Sequence, residues 1–352
     1  MTKPECAWTL DALSKAEFNG IKVMSTFACG GGSSMGYKLA GCDVIAANDI
    51  DPEMAWHYKH NLNPRHYFLC PIRDLLTNDL PPELFDLDIL DGSPPCSTFS
   101  MAGSREKAWG KDKHFREGQS KQVLSDLFFD YLDLVEQLKP KVAIAENVKG
   151  MLNGNAKGYT KMIMRRFREI GYRPQLFLVN SADCGVPQKR ERVFFCAIRD
   201  DIEAPKLELS PQHRWVSAGE ACRDLQNLTE FEVTDTKPDL TARRYWAGTK
   251  PGHSFSEECK RKTGKASCFT HVRLSGQKPS CTLSSQPHTV THWNQNRKLT
   301  YREWKRLGSF PDDYSAKTDK IGKYMVGMSV PPKMTEAVAR RVIDQWLKPQ
   351  GN

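Results

Sequence analysis

No stretch of this chain approaches the ~20 consecutive apolar residues that a membrane-spanning helix needs, and the first residues lack the basic, apolar and small-residue pattern of a secretory signal. A membrane-embedded or secreted protein is therefore not expected; a cytoplasmic one, associated with the nucleoid, is. Repeats at a fixed period are absent, which removes solenoids and propellers. The 11 cysteines make no short, even-numbered framework, so reduced thiols are expected rather than disulfides. Metal ligands at familiar zinc spacings are missing too. Cys268-x2-His271 and His288-x3-His292 come nearest, but their order and gaps fit no common zinc module, and no metal is expected. Acidic excess is also lacking: the net charge is +9, which favours a polyanionic partner such as nucleic acid.

What is present is the composition of a folded chain, 39% hydrophobic and 26% charged, and its 352 residues suggest two domains or one large domain with an insertion. Residues 21–27 read as a strand running into Ala28-Cys29-Gly30-Gly31-Gly32-Ser33-Ser34, then an apolar-periodic helix over 35–40. Strand, glycine loop and helix form the nucleotide-cradling half of a doubly wound α/β fold, because glycines let the backbone approach a ligand at a helix N-terminus. A second strand, 43–48, closes on Asp49-Ile50-Asp51. That puts an acid about 20 positions past the glycine loop, where it can bind a ribose hydroxyl. Residues 52–61 predict a helix and 67–69 a strand, with Ile72-Arg73-Asp74-Leu75 just beyond.

Residues 85–90 predict a strand leading into Gly92-Ser93-Pro94-Pro95-Cys96. The two prolines fix φ and remove backbone donors, so a stiff loop presents a thiol at a strand end, where α/β enzymes place their chemistry. Residues 101–122 are polar and basic, as in a lid. Helices follow over 123–138 and 159–170, and a strand over 142–145 ends at Glu146-Asn147-Val148. Strands over 175–180 and 193–198 are joined by a connection carrying Arg190 and Arg192. From 205 to 300 the periodicity is poor, and 15 Lys and Arg against 9 Asp and Glu leave that segment +6. Basic and aromatic residues interleaved without a core pattern suggest a nucleic-acid-facing domain. Helical periodicity returns over 300–308 and 335–347.

Cys96, Glu146 and the arginines Arg190 and Arg192 each adjoin a strand, so one sheet edge could gather them beside the glycine loop. A thiol, an acid and a guanidinium suit attack on an electron-poor ring: the thiol adds, the acid serves a ring nitrogen and the arginine holds a ring oxygen. With these residues the chain resembles the cytosine-5 DNA methyltransferases, in order along nearly its whole length. Phe27-Ala28-Cys29-Gly30-Gly31-Gly32 resembles the family's S-adenosylmethionine loop, Phe-x-Gly-x-Gly-Gly. Pro94-Pro95-Cys96 resembles its nucleophile motif, Glu146-Asn147-Val148 its acid motif, and Gln188-x-Arg190-x-Arg192 its Gln-x-Arg-x-Arg. Arg297-Lys298-Leu299-Thr300-x-Arg302-Glu303 and Phe310-Pro311-Asp312 resemble the motif bracing a target recognition domain, and Gly327-Met328-Ser329-Val330-Pro331 resembles Gly-Asn-Ser-Val-Pro. Three positions depart: Cys29 replaces a glycine, Ser25 an acid and Met328 an asparagine.

The resemblance implies a doubly wound, Rossmann-like methyltransferase sheet with a smaller, irregular target recognition domain: a catalytic domain over 1–203, the recognition domain over 204–320 and a returning segment over 321–352. It implies S-adenosylmethionine, leaving S-adenosylhomocysteine, bound by Phe27, Ala28, Gly30, Gly31, Gly32, Asp49, Ile50, Asp74, Leu75, Ser329 and Val330. It implies Cys96 as nucleophile, Glu146 as acid, and Arg190 and Arg192 beside them, acting as a monomer on a cytosine flipped out of double-stranded DNA. A cognate restriction enzyme would be compatible. Two other readings stand beside this one. Cys268-Phe269-Thr270 resembles a tripeptide of the tRNA cytosine-5 branch, and an inactive DNA-binding relative would keep the fold. The intact Cys96, Glu146 and Arg192 argue against the latter.

Overall fold

The computed structural model describes residues 2–95, 127–154 and 156–348, with the backbone of 112–113 and 122–123. Cys96 and nearly all of the 101–122 segment lie outside the described residues. The chain divides into two units. The larger comprises 13–179, 191–211 and 335–352; the smaller comprises 1–12, 180–190 and 212–334.

The larger unit is built on a seven-stranded sheet. Its strands are β1 (Lys22–Thr26), β2 (Asp43–Asp49), β3 (His66–Leu69), β4 (Ile89–Gly92), β5 (Val142–Val148), β6 (Tyr172–Asn180) and β7 (Glu191–Arg199). Their order across the sheet is β3-β2-β1-β4-β5-β7-β6. β1 pairs in parallel with β2 and β4, and β4 with β5, whereas β7 runs antiparallel to β5. The order reverses between β1 and β4, so the loops leaving those strands diverge at the sheet's carboxyl edge. In open α/β sheets ligands bind at such a point. The parallel strands are short apolar runs, as expected where both faces are covered.

Helices of this unit include α1 (Gly32–Leu39), α2 (Pro52–Leu62), α3 (Leu127–Leu138) and α4 (Ala156–Glu169). α2 has strong end signals. The Asp51 side chain accepts from the Glu53 and Met54 N–H groups, proline stands in the first turn and Asn63 closes the helix in the left-handed region. Tyr131 of α3 is fully buried and donates to the carbonyls of Leu90 and Ile144, which fixes α3 across β4 and β5. Several strand limits differ from the sequence pattern: β6 starts at Tyr172 rather than 175, and β7 at Glu191 rather than 193. Residues 82–85 form a 3-10 turn, so β4 starts only at Ile89, and β5 continues through Glu146 to Val148. The arginines of α4 are paired, Arg165 with Glu169 on the same helix and Arg166 with Asp133 of α3.

The smaller unit has short helices, including Glu230–Asp235, Leu240–Tyr245 and Ser256–Thr263, and a two-residue strand pair. Helices of one or two turns leave too brief a period to detect, which is why 205–300 looked irregular. Its organising element is α5 (Tyr301–Leu307), opened by a reciprocal capping box between Thr300 and Glu303. Glu303 is buried and takes a bidentate pair from Arg297 at 2.7 and 2.8 Å. Arg302 grips Glu232, and the buried Arg306 bridges Asp224 and Asp312. No helix among the described residues is long and apolar enough to cross a membrane.

Removing one partner of a buried pair strands the other charge. Glu303→Ala should lower stability by about 3–5 kcal/mol, because it orphans Arg297 and deletes half of a helix cap. Denaturant unfolding followed by circular dichroism measures it, and a change of only a few tenths would show that the pair is dispensable.

Candidate active site

The loop after β1 is held in an unusual backbone conformation. Phe27 has φ 53°, Cys29 φ 47° and Gly31 φ 81°, alternating into the left-handed region that glycine favours. Cys29 thus keeps the conformation that the family serves with glycine. Its amide donates to the Asp49 carboxylate at 2.7 Å, which holds the loop to the end of β2. A Cβ at Gly31 would also stand 2.3 Å from the end of the Leu62 side chain, which would have to shift.

Asp49 also accepts the Asp51 amide at 2.9 Å. The Ile50 amide is a third backbone donor to this carboxylate, which still has acceptor capacity for a ligand hydroxyl. Burial pushes the Asp49 carboxyl up to about 6, against the pull of those amide donors. Ile50 follows it, half-buried. Beyond β3, Asp74 is exposed on a one-turn helix, and its neighbour Leu75 is buried. Two carboxylates and an apolar neighbour along the edge next to a left-handed loop make a donor set that fits S-adenosylmethionine. The acids suit ribose hydroxyls and an adenine amino group, and carboxylates are compatible with its cationic sulfonium. Ser329 and Val330 belong to the smaller unit. Both are buried, and the Ser329 hydroxyl donates to the Met325 carbonyl. Met328, one residue earlier, is half-exposed.

On the other side of the switch, Thr26 is in register with Gly92, and Gly92 with Ala145. Phe27 and Ser93 therefore leave their strands at the same edge, level with Glu146, which is still within β5. Gly92 has no room for a side chain: a Cβ would lie 2.6 Å from the Tyr131 ring and 2.8 Å from the Thr26 hydroxyl. The side-chain amide of Asn147 donates to the Pro94 carbonyl at 3.0 Å, which anchors the proline loop two residues before Cys96. Sequence reasoning had not singled out Asn147 for this; its place inside the acid motif was the available signal.

Because β7 is antiparallel to β5, its first residues lie at the edge where β5 ends. Val148 is in register with Arg192, and the Arg192 guanidinium pairs with the Glu146 carboxylate at 2.8 Å. Both are largely buried, Arg192 15% and Glu146 10% exposed at the side chain. Arg192 is thus a strand residue rather than part of a loop leaving a strand. Arg190 has other partners: it belongs to the smaller unit and is buried, and its Nη1 donates to the carbonyls of Leu283 and Gly327 at 2.9 and 3.0 Å. The structure therefore brings Glu146 and Arg192 together and gives Arg190 a bracing task.

Residues 21–344 match the model of the C-5 cytosine-specific DNA methylases, and the chain belongs to that family. Its relatives include the type II methyltransferase M.NgoPII of Neisseria gonorrhoeae, 28% identical with 94% of this chain and 97% of that protein covered. M.FnuDI of Fusobacterium nucleatum is also 28% identical, over 92% of this chain and 94% of its own. A prophage-encoded Escherichia coli protein described as a DNA modification methyltransferase shares the fold at TM-score 0.70 and 19% identity, covering 93% of this chain and 99% of that one. DNMT2 of Spodoptera frugiperda does so at TM-score 0.65 and 17% identity, covering 92% and 100%.

The raised carboxyl of Asp49 has a pH signature. The folded state keeps a proton that the unfolded chain loses near the ordinary carboxylate value, so stability from this group is present at low pH and is lost as pH rises toward about 6. Asp49→Asn removes that loss, so its stability relative to wild type should rise across this window and then level. Affinity for S-adenosylhomocysteine should rise over the same window in wild type and stay flat in Asp49→Asn. Parallel pH profiles for the two proteins would refute the assignment.

Proposed function

We propose that the chain is a DNA (cytosine-5-)-methyltransferase that uses S-adenosylmethionine and forms a covalent Cys96 adduct with a flipped-out cytosine. One observation carries this reading: the glycine-loop strand, the proline loop anchored by Asn147 and the Glu146–Arg192 pair all end at one edge of one sheet. Bound at Phe27, Ala28, Gly30, Gly31, Gly32, Asp49, Ile50, Asp74 and Leu75, S-adenosylmethionine would supply an electrophilic methyl group.

Carbon 5 of cytosine is a poor nucleophile. Addition of the Cys96 thiolate to carbon 6 converts the ring to an enamine whose carbon 5 can take a methyl group. Glu146 protonates or hydrogen-bonds nitrogen 3 as charge develops there, and Arg192 orients the Glu146 carboxyl and serves oxygen 2. Loss of the carbon-5 proton to solvent then breaks the carbon 6–sulfur bond and restores the Cys96 thiolate, and the nitrogen-3 proton returns to Glu146. A base stacked in a duplex cannot offer carbon 6 to a side chain, so the cytosine must leave the helix. Arg190 acts in this scheme as a brace on the carbonyls of Leu283 and Gly327.

The smaller unit would recognise the target sequence, its basic excess meeting phosphates. Part of that charge is spent internally: Arg261 and Lys262 both pair with Glu258. The type II relatives favour duplex DNA over tRNA and suggest that a restriction enzyme accompanies the chain. A cytoplasmic monomer suits this role.

Cys96→Ser should abolish methyl transfer while S-adenosylhomocysteine still binds, because a hydroxyl of similar size supplies almost no anion at neutral pH. Glu146→Gln should keep partial activity. The assay is tritiated methyl transfer to duplex DNA and to tRNA in parallel, with trapping on 5-fluorocytosine DNA. A Cys96→Ser protein methylating at near wild-type rate would sink the mechanism, and transfer confined to tRNA would replace the substrate.

A further inference from the structure

One buried acid of the larger unit has no part in the scheme above. Asp91 is 3% exposed and is the second-last residue of β4, five positions before Cys96. Its carboxylate accepts the Ser25 hydroxyl at 2.8 Å and the Tyr37 hydroxyl at 3.1 Å, and a further hydrogen bond joins it to Ser33. Its own carbonyl accepts the Thr26 hydroxyl at 2.9 Å. These partners come from two elements. Ser25 and Thr26 close β1 just before the left-handed loop, and Ser33 and Tyr37 lie four apart on α1, which opens from that loop. A buried carboxylate is stable only where such donors replace water. Burial still pushes this one up to about 7, with Ser25 and Tyr37 opposing.

Ser25 stands where the resembled family has an acid, and the register explains how the chain tolerates the change. Ser25 and Asp91 are partners across the parallel β1–β4 pair and present their side chains to the same face. A carboxylate carried by either strand reaches the same interior.

We propose that Asp91 is a positioning residue that sets the spacing between the methyl-donor loop after β1 and the nucleophile loop after β4, with its acid and the Ser25 hydroxyl exchanged across the strand pair. The assignment rests on the methyltransferase reading. Asp91 touches no reacting atom; it acts through the strand ends and helix that it ties together. The two loops must meet within a fraction of an ångström of productive geometry, and a misplacement of about 1 Å can reduce rate about 100-fold.

The test compares wild type, Asp91→Asn, Asp91→Ser and the exchange Ser25→Asp/Asp91→Ser, all checked for folding by circular dichroism. Methyl transfer to duplex DNA is resolved into kcat and KM for S-adenosylmethionine. Asp91→Asn keeps the shape and should fold. Its kcat should fall at least about tenfold while KM changes by less than about threefold, since the two loops stay intact but lose their spacing. The exchange should recover most of the kcat that Asp91→Ser loses. A merely structural role would lower the folded fraction without this split and would give no recovery on exchange. An unchanged kcat in folded Asp91→Asn, or a folded exchange protein as slow as Asp91→Ser, would overturn the proposal. Absence of methyl transfer by wild type would instead refute the underlying reading.

Discussion

The antiparallel pairing of β7 with β5 is the constraint on which the site depends. In a fully parallel sheet the start of a strand lies at the amino edge, away from the loops that do chemistry. Reversing one strand puts its first residues at the carboxyl edge. Only so can Arg192, the second residue of β7, pair with Glu146 near the end of β5. The pair is desolvated, so its geometry has to be supplied by the backbone register rather than by flexible side chains. That register reaches through Ala145 to Gly92 and Thr26, and sets where the loops on both sides of the switch begin.

Around this edge, polar side chains do what backbone ladders cannot. Asn147 holds Pro94, Asp49 holds the Cys29 amide, and Tyr131 satisfies carbonyls of two strands at once. Each joins segments that are distant in sequence and adjacent in the sheet. The smaller unit is held by a different device. Arginine–carboxylate pairs gather around α5, beside the buried side chains of Trp304, Leu307 and Phe310. Such bidentate pairs add geometric specificity to the apolar packing.

Much of this was legible in the sequence, for definable reasons. Apolar runs ending in glycine, acid or proline gave the strands, because a buried parallel strand has little freedom in composition. The helix over 52–61 announced itself through Asp51, Pro52 and Asn63, whose preferences are local. The ordered series of short motifs gave the family. Limits were less legible: β4 starts late because Pro82 begins a turn, and β5 runs past Glu146 because β7 pairs with it to the end. The short helices of the smaller unit gave no period long enough to read.

The sequence by itself determined the chemical inventory: a thiol in a proline loop, a buried-strand acid, two arginines two residues apart and a glycine loop followed by acids. Residue type and chain order are sufficient for that, since each group carries its own reactivity. Only the tertiary structure decided what each group faces. It separated Arg190 from Arg192, giving one to backbone carbonyls and the other to Glu146. It also set Ser25 against Asp91 across 66 residues of chain, a pairing that no local pattern contains, because strand register is fixed by the whole sheet.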